Sequence, residues 1–342
     1  MQFQWLFVYV LTALFFPIIP FSSSPSHFDS FISEVTRNNH EDWVHNDLKV
    51  ATFNTWGLPI KLPGMDQTTR FNVLPDSLLD LNADILCLQE TFSKRLRKKI
   101  METLPHSYYH YSDYLCNRRQ AGLLMMDCYG GLMTWSKYPI VYESFHAFPF
   151  YKGMSIIEQT GLKGFLFTTI NFKGTYINVV NTHLYSGLSD KAEYFRLQQL
   201  AYLHNVLVQL EQFKAFPTLF AGDFNTSHPE VTSGNDILSP SVTYPLITGE
   251  MGFKDTCPTL DDNSYTYDAF SNSYVNKKKE RNKIDYIFYR ETQHTAMTIT
   301  ERKTIFTENN LSDHNGYMSC FTLSYSTSRD NNPSVLIASS EN

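Results

Sequence analysis

The sequence predicts an α/β (α+β) four-layer sandwich, in which two packed, mostly antiparallel β-sheets are flanked by helices. Three observations predict it. Short apolar runs that end in turn residues outnumber helical stretches. One segment, 190–213, carries Phe195, Leu200, Leu203, Leu207 and Leu210 at a spacing of about 3.6 residues, the pattern of an amphipathic helix. Single polar residues recur at the carboxyl ends of the apolar runs, at Asn54, Glu90, His183 and Asp223. Rigid strands can bring such residues together at one edge of a sandwich.

The elements follow in order. Residues 48–53 alternate loosely and stop at Asn54, and 84–89 (DILCLQ) form a short strand apolar on both faces. Residues 130–135 and 140–142 read as strands split by the turn Lys137-Tyr138-Pro139. Residues 163–171 and 175–181 read as a hairpin turned at Lys173-Gly174. The amphipathic helix comes next, then a strand at 218–221 leading into Gly222-Asp223, and strands at 284–289 and 317–323. Two stretches rich in aromatic residues, 106–114 (HSYYHYSDY) and 145–151 (FHAFPFY), read as loops. The expected organisation is an export signal at 1–24, a polar linker at 25–46, a catalytic domain at 47–325 and a flexible tail at 326–342.

With 342 residues and 42% hydrophobic content, the chain supports one large core or two small ones. The formal net charge of −6 argues against a partner that needs a broadly basic surface, long nucleic acid above all, although a local basic cleft stays compatible with it. Residues 5–21 are almost continuously apolar and are followed by Ser22, Ser23, Ser24 and Pro25, which predicts a secreted or extracytoplasmic protein, or one that keeps the segment as an anchor. Of five cysteines, Cys87 lies inside an apolar run and reads as a buried thiol, while Cys116 and Cys128 are close enough in sequence to close one loop. No Cys-x-x-Cys spacing points to zinc or redox chemistry.

Taken singly, the polar residues have bland explanations. An acid after a strand is usually a solvated loop residue, and a lone histidine is usually a structural hydrogen-bonder. Gly222-Asp223-Phe224-Asn225 and Ser312-Asp313-His314 also fit polar turns. Their order along the chain does not fit those explanations jointly. The segments LKVATFN (48–54), LQE (88–90), NTHL (181–184), GDFN (222–225), KIDYIF (283–288) and SDH (312–314) resemble the endonuclease/exonuclease/phosphatase superfamily. Its members include pancreatic-type deoxyribonucleases, abasic-site endonucleases, inositol polyphosphate phosphatases and neutral sphingomyelinases.

The resemblance implies a role for each matching residue. Glu90 would bind a catalytic Mg²⁺ (Mn²⁺ or Co²⁺ in its place), with Asn54 orienting the ion or the phosphate. Asp313 would sit near the metal or support His183. His314 would be the general base on the attacking water, and Asp285 would hold its ring. His183 and Asn225 would hydrogen-bond the phosphoryl oxygens, and Asp223 would position the water or assist the leaving group. The chemistry suits these residue types: a phosphodiester is anionic, so a metal and hydrogen-bond donors must spread its charge during in-line displacement. A histidine titrating near 6.5 is matched to proton abstraction near neutral pH.

Within the superfamily, Asn54-Thr55-Trp56-Gly57-Leu58-Pro59, residues 130–140 (GGLMTWSKYPI) and Lys163-Gly164-Phe165 resemble neutral-sphingomyelinase-type members. That implies a monomeric enzyme acting on phospholipid at a membrane surface, cleaving sphingomyelin to ceramide and phosphocholine. Lys163, Phe148, Phe150 and Tyr151 are the candidate substrate and membrane contacts. The basic run 277–283 (KKKERNK) reads as a solvated loop or as a contact for an anionic headgroup. The competing readings are a secreted endonuclease, a phosphoinositide phosphatase and a non-catalytic membrane-binding module.

Overall fold

Side chains along the central strands alternate between two cores, and this alternation builds the layers. In β1 (Trp43–Asn54), Leu48 and Val50 face one way while Ala51 and Phe53 face the other. In β2 (Ile85–Gln89), Ile85 and Cys87 join the first set, and Leu86 and Leu88 the second. The first set packs against Ile177, Val179, Leu219, Ala221 and Ile287 of another sheet. The second packs under two helices, α1 (Gln67–Asp80) and α2 (Lys94–Thr103), through Phe71, Leu74, Leu78, Leu96 and Ile100.

The computed structural model describes residues 43–61, 63–108, 110–112, 130–187, 189–231, 241–275 and 281–326. The expected export signal, the possible Cys116–Cys128 pairing, Lys277, Lys278 and Lys279, and the tail beyond residue 326 lie outside the described residues.

The first sheet adds β3 (His110–Ser112), β4 (Met133–Ser136), β13 (Thr295–Ile305) and β14 (Gly316–Ser326), in the order β13-β14-β1-β2-β4-β3. The second holds β5 (Ile140–Ala147), β6 (Gly164–Phe172), β7 (Thr175–His183), β8 (Thr218–Asp223), β9 (Lys254–Asp255) and β12 (Asp285–Arg290), in the order β5-β6-β7-β8-β12-β9. A small antiparallel ribbon joins β10 (Tyr267–Asp268) to β11 (Arg281–Asn282). Each large sheet contains one parallel pair, β1 with β2 and β7 with β8, and is otherwise antiparallel. The outer face of the second sheet is covered by Leu200, Leu203 and Leu207 of the helix Asp190–Leu207, which meet Phe165, Phe167 and Phe220. The result is the predicted four-layer arrangement.

Several boundaries differ from the sequence reading. β1 begins at Trp43, because residues 43–47 pair with 322–326 of β14. Residues 43–46 are therefore strand rather than linker, and Ser326 is strand rather than tail; backbone pairing holds them although their side chains show no apolar alternation. β4 starts only at Met133, since Gly130 and Gly131 both adopt positive φ in a turn. β5 continues through residues 145–147, which read as loop, by pairing with β6. The predicted helix over 190–213 stops at Leu207, and a separate short helix follows at Glu211–Ala215. Helix α2, which the apolar pattern did not reveal, is capped by Ser93, whose hydroxyl accepts from the Leu96 N–H.

Candidate active site

The two parallel pairs decide where the site forms. Parallel strands end on the same side, so their carboxyl-terminal residues leave the sheet together. Asn54 is the last residue of β1, and Glu90 directly follows β2. His183 and Asp223 are register partners at the ends of β7 and β8. Asp285, the first residue of antiparallel β12, is the register partner of Asp223. His314 lies two residues before β14.

These ends meet between the sheets. Asn54 Nδ2 donates to Glu90 Oε1 at 3.1 Å and to Asp223 Oδ2 at 2.9 Å, joining residues of both sheets. His183 Nε2 lies 3.4 Å from Asp223 Oδ2 and 3.8 Å from Glu90 Oε1. His314 Nδ1 sits 2.9 Å from Asp285 Oδ2, while its Nε2 lies 3.8 Å from Asp223 Oδ2. Asn225 adopts a left-handed φ of 51°; its backbone N–H donates to Asp223 Oδ1 at 2.9 Å and its Nδ2 to the Leu184 carbonyl at 3.1 Å. Glu90 is also left-handed, at φ 53°, a conformation that non-glycine residues adopt at a cost.

Gly222 makes the approach of β8 to β7 possible. Its φ is +148°, and a Cβ there would lie 2.0 Å from the Thr182 carbonyl oxygen, next to His183. Gly222→Ala should therefore lower stability by about 3 kcal/mol, from backbone strain and overpacking together, and displace His183 from Asp223. A denaturant melt within about 1 kcal/mol of the parent would show that the strands yield without cost.

Burial among like charges shapes the titration of the site. Burial, and after it Asp313, raises the Glu90 carboxyl to about 7 against the opposing pull of Lys163, Asn54 and His314. Burial and Asp285 raise Asp223 to about 6, against His314, Asn54 and Lys163. Burial also raises Asp313. Burial, Lys163 and His314 hold His183 well below its ordinary value, so it is neutral near neutral pH and acts as a donor rather than a charge. For His314 burial acts downward, but Asp285, Asp223 and Asp313 outweigh it and raise the ring well above 6.5.

The donor set fits a hard cation. Glu90 Oε2 is buried and has no hydrogen-bond partner, and Asp313 bears on the same carboxyl electrostatically. A divalent ion would satisfy that oxygen and offset the mutual repulsion. Asp223, Asp285 and His314 also bring ligand atoms within 4.8 Å of one another. The His314–Asp285 hydrogen bond there suits an oriented base better than two metal ligands.

The candidate substrate and membrane contacts fare differently. Lys163 is not a surface contact: it is buried, with Nζ 2.9 Å from Glu158 Oε2 and 2.9 Å from the Leu184 carbonyl, and acts on the site as a nearby charge. Phe148 is 5% exposed and packs against the rings of Phe165 and Tyr202, which removes it from any membrane surface. Tyr151 is partly buried and donates from its hydroxyl to the Gln198 carbonyl at 3.1 Å. Phe150 is 59% exposed. Lys283, the end of the basic run, is neither solvated nor free for a headgroup; it is fully buried, 3.4 Å from the centroid of the Tyr317 ring.

Two supports escaped the sequence reading. Arg70, on α1, is buried and donates to the carbonyls of Met65, Thr55, Trp56 and Leu311, tying the loop after Asn54 to the one before His314. Below the site, Gln89 Nε2 donates to Asn181 Oδ1 at 2.8 Å, and Asn181 Nδ2 donates to the Leu88 and Met133 carbonyls, linking the two sheets. An amide directly after the apolar pair Val179-Val180 was the available signal for Asn181. Arg70 gave none, since a charged residue on a helix is ordinary.

Known proteins carry the same fold. The profile of the Endonuclease/Exonuclease/phosphatase family matches residues 51–314. A putative neutral sphingomyelinase of Drosophila melanogaster is 26% identical over 292 residues, covering 80% of this chain and 60% of its own length. Sphingomyelin phosphodiesterase 3 of Rattus norvegicus is 28% identical over 56% of this chain and 27% of its own length, so the chain spans only part of these relatives. Phospholipase C of Staphylococcus aureus is 26% identical over 71% of this chain and 73% of its own. Among solved structures, SmcL superposes with a TM-score of 0.63 at 17% identity, over 81% of this chain and 99% of SmcL. TDP2 of D. rerio, complexed with a single-strand DNA product, gives 0.59 at 18% identity, over 81% and 99%. Beta toxin from Staphylococcus aureus with bound magnesium ions gives 0.58 at 21% identity, over 82% and 100%. At such identities the solved structures speak to the fold alone. The family match, covering most of the chain and every polar strand end of the site, shows that this chain belongs to the endonuclease/exonuclease/phosphatase family.

Proposed function

We propose that this chain is a secreted, Mg²⁺-dependent phosphodiesterase that hydrolyses sphingomyelin to ceramide and phosphocholine at a membrane surface. The observation that carries the reaction type is the paired geometry of His314 and Asp285, with the free Nε2 of His314 facing Asp223. The substrate class draws on the Trp56-Gly57-Leu58-Pro59 segment and on relatives named for sphingomyelin and phospholipid cleavage.

A divalent ion, when bound, supplies positive charge to the phosphoryl group as charge develops there. The residues do the rest. Asp285 accepts from Nδ1–H and so fixes the tautomer in which, above the raised pKa of the ring, Nε2 is the unprotonated nitrogen available to a water. Nε2 takes the proton as the water oxygen bonds to phosphorus, and the bond from phosphorus to the ceramide oxygen breaks. Asp223, raised to about 6 and so mostly ionised at neutral pH but able to take up a proton more readily than an ordinary carboxylate, supports the departing oxygen or the attacking water. Neutral His183 donates to a phosphoryl oxygen, and Asn225 lies beside it. Glu90 and Asn54 hold the metal side, with Asp313 adjacent.

Family membership leaves a second reading, a DNA phosphodiesterase, since the fold is shared with TDP2, which was solved with a single-strand DNA product. The acidic net charge opposes it. Parallel assays with Mg²⁺ on sphingomyelin, plasmid DNA and a phosphoinositide decide between them, with His314→Ala as control. Sphingomyelin cleavage at least tenfold above the others is expected, and DNA cleavage without sphingomyelin cleavage rejects the proposal.

A further inference from the structure

Residues 150–157 carry an apolar surface that the catalytic site does not use. Ile156 and Ile157 are 78% and 80% exposed, the highest values among the large exposed hydrophobics of the described residues. They open the short helix Ile156–Thr160, whose first turn is fixed by Ser155, the hydroxyl of which accepts from the Glu158 N–H. Phe150 is exposed nearby in sequence. Single exposed apolar residues are normal, but two adjacent β-branched side chains held outward on a capped turn are a patch.

The turn is anchored to the site rather than loosely hung. Beneath it Met154, Tyr185, Ala192 and Phe195 form a small core of their own, with Tyr151 packed against it. The Ser155 N–H donates to the Tyr185 hydroxyl, and Glu158 holds both Lys163 and the Ser186 hydroxyl. Tyr185 and Ser186 follow His183 by two and three residues. The same structure that presents the isoleucines therefore continues into the strand end carrying His183.

The flanking charge indicates the partner. Lys152 and Lys191 are exposed, and Lys191 Cε and Nζ lie within 3.7 Å of where a Cβ on Gly153 would stand, which places that ammonium against this turn. Tyr194, half-exposed one turn further along the same helix, touches the Phe195 ring. The acids nearby are Glu158, buried in its pair with Lys163, Glu193, held by Arg196 and the Thr243 N–H, and Asp190, exposed in the first turn of the helix. Aliphatic and aromatic side chains ringed by lysines match the interfacial zone of an anionic bilayer.

We infer that the turn 150–157 is a lipid-docking surface, in which Phe150, Ile156 and Ile157 enter the bilayer interface while Lys152 and Lys191 meet anionic headgroups. The inference rests on the reading that the substrate is a membrane phospholipid; it keeps Phe150, drops the buried Phe148, and adds Ile156, Ile157, Lys152 and Lys191, which the sequence did not single out. Docking at this turn sets the site, two residues from Tyr185, against the surface that contains the scissile bond.

The test separates docking from catalysis by using vesicles of phosphatidylcholine and phosphatidylserine without sphingomyelin. Sedimentation should show the partition coefficient of Ile156→Ser/Ile157→Ser falling by about 30-fold or more relative to the parent. Removing phosphatidylserine should weaken the parent, and Lys152→Ala/Lys191→Ala should lose that dependence. Ile156→Trp should bind more tightly, which covers the case in which the serine variant misfolds. Hydrolysis of soluble bis-nitrophenyl phosphate should be unchanged in all of them. If the parent binds vesicles through these residues but cleaves no lipid, docking stands and the substrate reading falls. Unchanged partition of the serine variant, with a normal melting curve, overturns docking. So does a dimer of the parent that the serine variant abolishes, because the patch then belongs to a second copy of the chain.

Discussion

His314→Ala is expected to lower kcat on any accepted phosphodiester by about four orders of magnitude, with little change in KM, because it removes the proton acceptor and no part of substrate binding. Asp285→Asn should cost on the order of a thousandfold and move the pH profile as well. The sign follows from the charges around the ring. Burial lowers the His314 pKa, and Asp285, Asp223 and Asp313 raise it beyond that, to well above 6.5. A general base works when unprotonated, so activity is lost as the pH falls through this raised value. Removing the Asp285 charge lowers the pKa, and the acid limb of kcat/KM should move to lower pH while the plateau drops. The same shift stabilises the fold below about 6.5, where both folded and unfolded rings are charged, and that contribution is lost as the pH rises through the folded value. An acid limb that stays in place in Asp285→Asn would show that some other group titrates.

Glu90→Gln is expected to abolish Mg²⁺-dependent activity and, in the metal-free protein, to raise stability at neutral pH. In the folded state the Glu90 carboxyl is raised to about 7 by burial and by Asp313, above its ordinary value. Folding thus takes up a proton between the unfolded and folded values, and the metal-free protein loses stability as the pH climbs through that interval. The cost by pH 7 is on the order of 2–3 kcal/mol. Glutamine keeps the shape and removes the charge, so the Glu90→Gln substitution should flatten this slope. Adding Mg²⁺ should raise the melting temperature of the parent and leave the Glu90→Gln protein unmoved. Equal stabilisation of both proteins by the ion would place the metal elsewhere, for instance at Asp223, Asp285 and His314.

Much of the site was legible because its residues sit where apolar strands stop. Asn54, Glu90, His183 and Asp223 interrupt runs that hydrophobic burial alone would continue, and their order along the chain carried the family resemblance. What stayed illegible depends on distant partners. Lys163 read as a substrate contact and Lys283 as part of a solvated or headgroup-binding run, yet both are buried, one on Glu158 and the Leu184 carbonyl, the other over the Tyr317 ring. Phe148 and Phe150 are two residues apart with the same side chain, and only packing decides that the first is core and the second is surface. Arg70 is one cation among several on the helical stretches, and its role appears only when four carbonyls from two loops surround it.

By itself the sequence determined the layer architecture and the family. Period-two alternation dictates which side of each strand is buried, and turn residues punctuate the strands whatever lies beside them. Tertiary structure alone decided which charges are buried, which carboxyls are raised by their neighbours and which apolar residues remain in water. Those properties come from groups brought within a few ångströms across long stretches of chain, as Asn54 is to Asp223 and His314 to Asp285. Electrostatic energy depends on that separation and on the exclusion of water around it, neither of which a local pattern of residues encodes.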